Sequence, residues 1–237
     1  SYRDSIEHTY HDPGSYLIQL VVLSSMETGV YTDTIQMVVN INPTPVAKFD
    51  FINSCLGDSS IFVDESVGYG EPISTWYWDF GNTNDPVSIS TIPSPKYLYP
   101  QFGDYNVSLN VKNVFSCADS ISKTVSVYKL PEANFTFRET CKGYFTYFED
   151  ESFNDSAEIV KYNWDFGLDD ILNDTSNQKN PIYAYHDEGV FSTTLKIFDA
   201  NGCVDTSVEE LEIFPIPRAD FNIIDTIRQG NIYLENI

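Results

Sequence analysis

The chain has 237 residues, 42% of them hydrophobic and 15% aromatic, which supplies enough apolar surface for packed cores and argues against a disordered polymer. Against 35 aspartates and glutamates stand only 13 lysines and arginines, and the formal charge of −22 repels phosphate backbones and anionic lipid, so nucleic acid is excluded as a partner. No run of about 18 apolar residues occurs, and direct membrane insertion is not expected.

Taken in chain order, the sequence alternates and then repeats. Tyr16, Ile18, Leu20 and Val22 are followed, after a short loop, by Ile35, Met37, Val39 and Ile41, which predicts a half-buried hairpin. Asn42-Pro43-Thr44-Pro45 closes that stretch. Ala47, Phe49 and Phe51 then open a unit that recurs 86 residues later as Ala133, Phe135 and Phe137, and again as Ala219, Phe221 and Ile223. Trp78-Asp79-Phe80-Gly81 returns with the same period as Trp164-Asp165-Phe166-Gly167. A fixed period this long marks an array of small domains, each burying its own core, rather than a solenoid of short repeats. Each unit closes on a hairpin of the same kind: Tyr105, Val107, Leu109, Val111, then Ile121, Lys123, Val125, Val127 in the first complete copy. Proline marks the joints, at Leu130-Pro131-Glu132 and Pro215-Ile216-Pro217, and restricts their motion.

The boundaries that follow are 1–43 for the C-terminal half of a module, 44–130 and 131–215 for two complete modules, and 216–237 for the first strands of a further one. No window has a helical period. About seven short strands per complete module predict an all-β fold of tandem immunoglobulin-like β-sandwiches, arranged as beads on a string. Trp78, Phe80, Trp164 and Phe166 are the expected core anchors between two sheets. Asp79 faces the other way, where its carboxylate can accept an N–H from the turn after it. Tyr16 and Tyr105 stand where a tyrosine corner would, but Phe191 in the next copy has no hydroxyl to donate, so that bond cannot be general.

Phe62-x-Asp64-x-Ser66, Trp78 to Gly81, and Tyr99-x-x-x-Gly103-x-Tyr105-x-Val107-x-Leu109 together resemble the PKD domain, the immunoglobulin-like module named after polycystic kidney disease protein. The second copy matches with Phe148, Asp150, Ser152, Trp164 to Gly167, Tyr185 and Gly189. The Gly-Asp-Gly continuation usual in that family is missing after both aromatic motifs, which loosens the turn but not the fold. Tandem acidic copies of this kind look like the repeat regions of large secreted or surface proteins of Bacteroidota, including adhesins exported by the type IX system and used in gliding. The resemblance implies a non-catalytic extracellular stalk that presents a distal adhesive region at the cell surface. Its partners would be neighbouring modules of the same chain, type IX secretion components or surface polysaccharide. The alternative is a set of carbohydrate- or protein-binding accessory modules of a secreted polysaccharide-degrading enzyme, with Tyr69 and Tyr77 as the aromatics not assigned to a core.

Four cysteines, Cys55, Cys117, Cys141 and Cys203, suit disulfides in an oxidising compartment better than a metal site, since none is followed by a Cys-x-x-Cys partner or a neighbouring histidine. Two pairings stay open. The intra-module scheme joins Cys55 to Cys117 and Cys141 to Cys203, 62 residues apart in each case. A sandwich strand of about six residues spans roughly 20 Å, however, and would hold such a pair at opposite poles, well beyond the reach of a bridge. That favours Cys55–Cys203 between modules, with Cys117 and Cys141 pairing elsewhere.

No enzyme is expected. His8, His11 and His186 lack the spacing of metal ligands or of a recurring catalytic base, and Glu149-Asp150-Glu151 alternates faces, which separates its carboxylates. No cofactor is implied. Calcium is the one ion with hard oxygen ligands to hand, at Asp169, Asp170 and Asp174 and at Asn82, Asn84 and Asp85, although the spacing fits no EF-hand loop. A short Asp-Ser/Thr-apolar pattern, similar to the O-glycosylation acceptor of Bacteroidota, makes Ser5, Thr34, Ser120, Ser156 and Thr226 candidate glycan acceptors.

Overall fold

The computed structural model describes residues 5–168, 174–223 and 234–236, and no described residue lies in a helix. Two compact units divide it, residues 1–128 and 129–237.

The first unit begins with the long hairpin β1 (Gly14–Met26) and β2 (Gly29–Ile41), whose register sets Gly14 opposite Ile41. A complete sandwich follows. Its smaller sheet holds β3 (Phe49–Ile52), β5 (Ser59–Asp64) and β8 (Lys96–Leu98) in the order β3-β5-β8. The larger sheet runs β4-β10-β9-β6-β7, from β4 (Ser54–Cys55), β6 (Ile73–Asp79), β7 (Ile89–Ser90), β9 (Gly103–Asn113) and β10 (Ala118–Tyr128). Only β4 pairs in parallel, along the end of β10, so that Cys55 lies beside Tyr128.

The second unit repeats this with side chains exchanged and the register kept. Its small sheet contains β11 (Phe135–Phe137), β13 (Phe145–Asp150) and β16 (Ile182–Ala184). Its large sheet runs β12-β18-β17-β14-β15, from β12 (Thr140–Cys141), β14 (Ile159–Asp165), β15 (Thr175–Ser176), β17 (Gly189–Asp199) and β18 (Val204–Phe214). Trp78 faces Leu109 in one large sheet and Trp164 faces Leu195 in the other. Even the bulge recurs, between Ile73 and Thr75 and between Ile159 and Lys161. A last pair, β19 (Phe221–Ile223) with β20 (Leu234–Asn236), sets Phe221 opposite Asn236, the register that Phe49 and Asp64 have in the first small sheet.

Alternation explains which residues form the cores. Along β9, Val107, Leu109 and Val111 are fully buried, and they pack with Phe49, Phe62, Trp78 and Phe80. The second core is built from Phe135, Phe148, Trp164, Phe166, Leu195 and Ile197 in the same places. Trp78 stands edge-on to Phe49 at 5.1 Å between ring centroids, and Trp164 edge-on to Phe135 at 5.0 Å, the arrangement that aromatic quadrupoles favour. In β1 the equivalent apolar row is open: Leu20 and Val22 are 59% and 57% exposed, since no described residue lays a second sheet over them. Lys123 occupies an inward position of β10. Its stem lies over the core while its ammonium sits 5.0 Å from the Phe49 ring centroid and donates to the Phe49 carbonyl, which satisfies a charge that would otherwise be stranded.

Candidate functional site

In each complete module the recurring polar side chains converge on the backbone where the first strand enters the sandwich. Phe62 and Phe148 turn into the core, and the aspartate two residues on lies on the same strand face at the strand's end, with the Asp150 side chain only 1% exposed. Asp64 Oδ1 accepts the Ser66 N–H at 3.0 Å, and Asp150 Oδ1 accepts that of Ser152 at 3.1 Å. Each serine then bridges to the entering strand: Ser66 Oγ accepts the Lys48 N–H at 3.1 Å and donates to the Lys48 carbonyl at 3.2 Å, and Ser152 does the same with Asn134 at 3.1 and 3.2 Å. Asp64 also accepts Trp76 Nε1–H at 2.7 Å. The spacing Phe-x-Asp-x-Ser is therefore a clamp: one aromatic for the core, one carboxylate for the turn, one hydroxyl for the neighbouring strand.

A second clamp comes from the far hairpin. Asp119 Oδ2 accepts the Ala47 N–H at 2.8 Å, and Asp205 Oδ2 accepts that of Ala133 at 2.7 Å. This gives the Asp-Ser/Thr pattern a structural duty at Asp119-Ser120 and at Asp205-Thr206. Ser5, Thr34, Ser120 and Ser156 are all exposed, and Ser156 Oγ donates to Asp155 at 2.9 Å; Thr226 lies outside the described residues. Removing the carboxylate in Asp205→Ala strands a partly buried N–H, and urea denaturation is expected to show the 131–215 module destabilised by about 1–3 kcal/mol, with Asp205→Asn recovering much of it through its own carbonyl.

The aromatic motif fixes the next turn. The Gly81 N–H donates to Asp79 Oδ1 and the Gly167 N–H to Asp165 Oδ1, both at 2.9 Å, as the sequence suggested for Asp79. Buried Tyr99 donates to the Phe80 carbonyl at 3.0 Å, and Tyr185 to that of Phe166 at 3.1 Å, so the phenol ties the strand after the motif to its partner sheet. Corner bonds form where a hydroxyl exists: Tyr16 donates to the Asp12 carbonyl at 2.9 Å and Tyr105 to that of Gln101 at 2.8 Å.

Burial pushes both buried phenols above their ordinary range, Tyr185 to about 12. An unfolded tyrosine ionises near pH 10, so between about pH 10 and 12 the folded state holds the proton that the unfolded state has lost. The contribution is complete below pH ~10 and drains as pH rises through the folded value. Urea titrations are expected to show about 2–3 kcal/mol lost over that window for Tyr185, with a shallower slope in Tyr185→Phe.

The cysteine hairpins are organised by one inward polar residue each. Asn113 Oδ1 accepts the N–H groups of Phe115 and Cys117 at 3.0 and 3.1 Å, and its amide donates to the Pro43 carbonyl at 3.0 Å. Asp199 Oδ1 accepts from Asn201 and Cys203 at 2.9 and 2.8 Å, and Asn154 donates to its second oxygen at 2.9 Å. Cys117 precedes β10 and Cys55 lies alongside the other end of that strand, so about ten residues at ~3.3 Å each separate them within one module. Cys117 and Cys141 are free and half-buried, whereas Cys55 and Cys203 are disulfide-bonded; the intra-module pairs do not form.

Asp174 is buried, with its Oδ2 accepting the Leu168 N–H at 2.9 Å, while Asp169 and Asp170 lie outside the described residues. Asp85 accepts the Val87 N–H and the Tyr97 hydroxyl at 2.9 and 2.8 Å, and Asn82 is buried beside it. Among the described residues no group of three or more His, Cys, Asp or Glu side chains is placed to hold a metal. His8, His11 and His186 are exposed. Tyr69 and Tyr77 are 62% and 49% exposed, and their rings do not stack on one another. The signal that would have found the two clamps is recurrence: Asp119, Ser66 and Tyr99 all repeat with the Trp motif.

Two family models, both described as PKD domain, match residues 62–126 and 128–213. Among solved structures the chain is similar to the PKD1 domain of Vibrio anguillarum Epp, at 27% identity over 37% of this chain and 98% of that one, with a TM-score of 0.34. The PKD1 domain from Vibrio cholerae metalloprotease PrtV matches at 29% identity over 36% and 99%, with a TM-score of 0.33. Clostridium thermocellum CbhA fibronectin(III)-like modules match at 13% identity over 71% and 94%, with a TM-score of 0.42. With matching models over most of its length and two sandwiches of common register, the chain belongs to the PKD domain family, as a tandem array.

Proposed function

We propose that the chain is part of an extracellular, non-catalytic stalk that holds a distal adhesive region away from the envelope of a bacterial cell. The observation that carries this reading is how the recurring polar residues are used. Asp64, Ser66, Asp79 and Asp119, with their counterparts Asp150, Ser152, Asp165 and Asp205, each bind backbone of their own module. What the repeat preserves is thus a closed sandwich, and short proline joints limit flexing between copies. The disulfide-bonded state of Cys55 and Cys203 supports an oxidising, extracellular location. The finer assignment is to a surface adhesin of Bacteroidota, exported by the type IX route and working in gliding, with Ser5, Thr34, Ser120 and Ser156 as glycan acceptors.

The test is a length-matched exchange in the cell that displays the protein. Replacing residues 44–215 by two unrelated sandwich domains is expected to leave attachment under flow unchanged, and deleting them to weaken it. Loss of attachment after the length-matched exchange would overturn the spacer reading. We also propose Cys55–Cys203 as the pairing. Non-reducing peptide mapping should return one peptide pair containing both, and recovery of Cys55 with Cys117 would reject it.

A further inference from the structure

The β1–β2 hairpin carries the same residue pairs as the β9–β10 hairpin of the first complete module. Leu20 stands opposite Ile35 and Val22 opposite Asp33, as Leu109 stands opposite Ile121 and Val111 opposite Asp119. In β9–β10 that face belongs to the core: Leu109 and Val111 are fully buried, in one cluster with Phe49 and Phe62 of the small sheet. In β1–β2 no described residue covers it, and Leu20, Val22, Ile35 and Met37 are between 57% and 68% exposed.

In the complete module the covering strands are β3 and β5, paired with Phe49 opposite Asp64 and Phe51 opposite Phe62. The β19–β20 pair has that register, with Phe221 opposite Asn236 and Ile223 opposite Leu234, each two periods further along the chain. Among the described residues β1–β2 and β19–β20 are both two-stranded sheets, which are marginal in water until an apolar face is packed. A polar contact is prepared as well. Asp119 Oδ2 accepts the Ala47 N–H at 2.8 Å where the first strand enters the sandwich, and Asp33 and Ala219 hold those two positions in β2 and before β19. Among the described residues Asp33 accepts only the Thr34 N–H, through Oδ1, which leaves Oδ2 for a second donor.

We propose that the open face of β1–β2 binds the β19–β20 strands of a second copy of this chain, so that one sandwich is completed between two molecules. Phe221 and Leu234 are the sequence counterparts of Phe49 and Phe62, the residues that the Leu20 row lacks. Met37 stands where β10 has Lys123, so the contact buries no charge at that position. The two copies use different surfaces. Such a heterologous contact propagates from copy to copy and gives open chains or rings rather than two-fold dimers. Neither hairpin contains a counterpart of Trp78, so the shared core is smaller than that of a complete module and the association is weak and reversible. With −22 on each copy, repulsion opposes it and added salt strengthens it.

Sedimentation equilibrium of the 237-residue chain, at loadings from about 1 μM to 1 mM, tests this. The average mass is expected to rise with concentration, and to rise further in about 1 M salt than in about 0.1 M. Leu20→Lys and Phe221→Lys each spoil one half of the contact and should stay monomeric by themselves. An equal mixture of the two should form a pair and nothing larger, because each variant supplies the half that the other has lost. Leu17→Lys, on the opposite face of β1, makes the same change of charge and should associate like the unaltered chain. Unchanged urea midpoints show that the two complete modules remain folded in each variant. A monomer at every loading, association that survives both Leu20→Lys and Phe221→Lys, or a mixture that stays monomeric would overturn the proposal. So would equal loss of association in Leu17→Lys.

Discussion

Trp164→Ala is expected to destabilise the 131–215 module by about 3–5 kcal/mol, the cost of deleting a large aromatic from a packed core. The side chain is 1% exposed and packs against Phe135 and Phe148, and its indole N–H donates to the Gln178 carbonyl at 2.9 Å. Truncation therefore leaves a cavity between two sheets and an acceptor without its donor. Small sandwiches commonly have only about 5–15 kcal/mol of stability to lose, so the module should be largely unfolded at temperatures where its neighbour is intact. The residue groups of the two cores do not overlap, which makes calorimetry informative: one transition should move and the other, belonging to the Trp78 core, should stay. A common shift of both transitions would show that the modules do not unfold as separate units.

Gly167→Ala is expected to come second, at about 2–4 kcal/mol, and Gly81→Ala to match it. Gly167 has φ of +81° and Gly81 of +72°, in the left-handed region that a Cβ disfavours. Crowding adds to this. A Cβ on Gly167 would stand 2.5 Å from the Ser192 carbonyl oxygen, and one on Gly81 2.5 Å from that of Asn106, and neither strand can withdraw without breaking its ladder. Gly57 separates the two causes. Its φ is +96° with nothing within 4 Å of the added methyl, so Gly57→Ala should cost only the backbone share, about 1 kcal/mol, in the same urea series. Equal costs at Gly57 and Gly81 would mean that the contact with Asn106 is not what the motif's glycine provides.

These two residues show why the aromatic motif can be read from sequence in part only. Its tryptophan and second aromatic announce a core by their spacing, and its aspartate announces a turn by standing two residues before the amide it accepts. The glycine is different. It is required because the strand carrying Asn106, far away in the chain, crosses over it.

Legibility of the clamps follows the same division. The Phe-x-Asp-x-Ser spacing was visible, but the serine's partner, Lys48, depends on how the small sheet closes. The carboxylate of Asp119 reaches Ala47 across 72 residues, and in the sequence it belongs to a short pattern that reads equally well as a modification signal. Strand number was underestimated, at about seven against the eight among the described residues of each complete module, because β4, β7, β12 and β15 have two residues each and no alternation can be detected over so short a length. The open setting of Tyr147 was missed for the opposite reason. Alternation places Tyr147 on the outer face, but only the assembled sheet shows that no described residue covers it, leaving the ring 62% exposed beside Arg138 and Asn180.

By itself, then, the sequence determined the period, the all-β class and the two cores, since apolar alternation and repetition are properties of neighbouring residues. The tertiary structure alone decided which carboxylate serves which amide, which cysteines are free, and which aromatics face solvent. Those outcomes depend on the groups left over once distant strands have paired, and a linear reading holds no information about what a polar group meets across the sandwich.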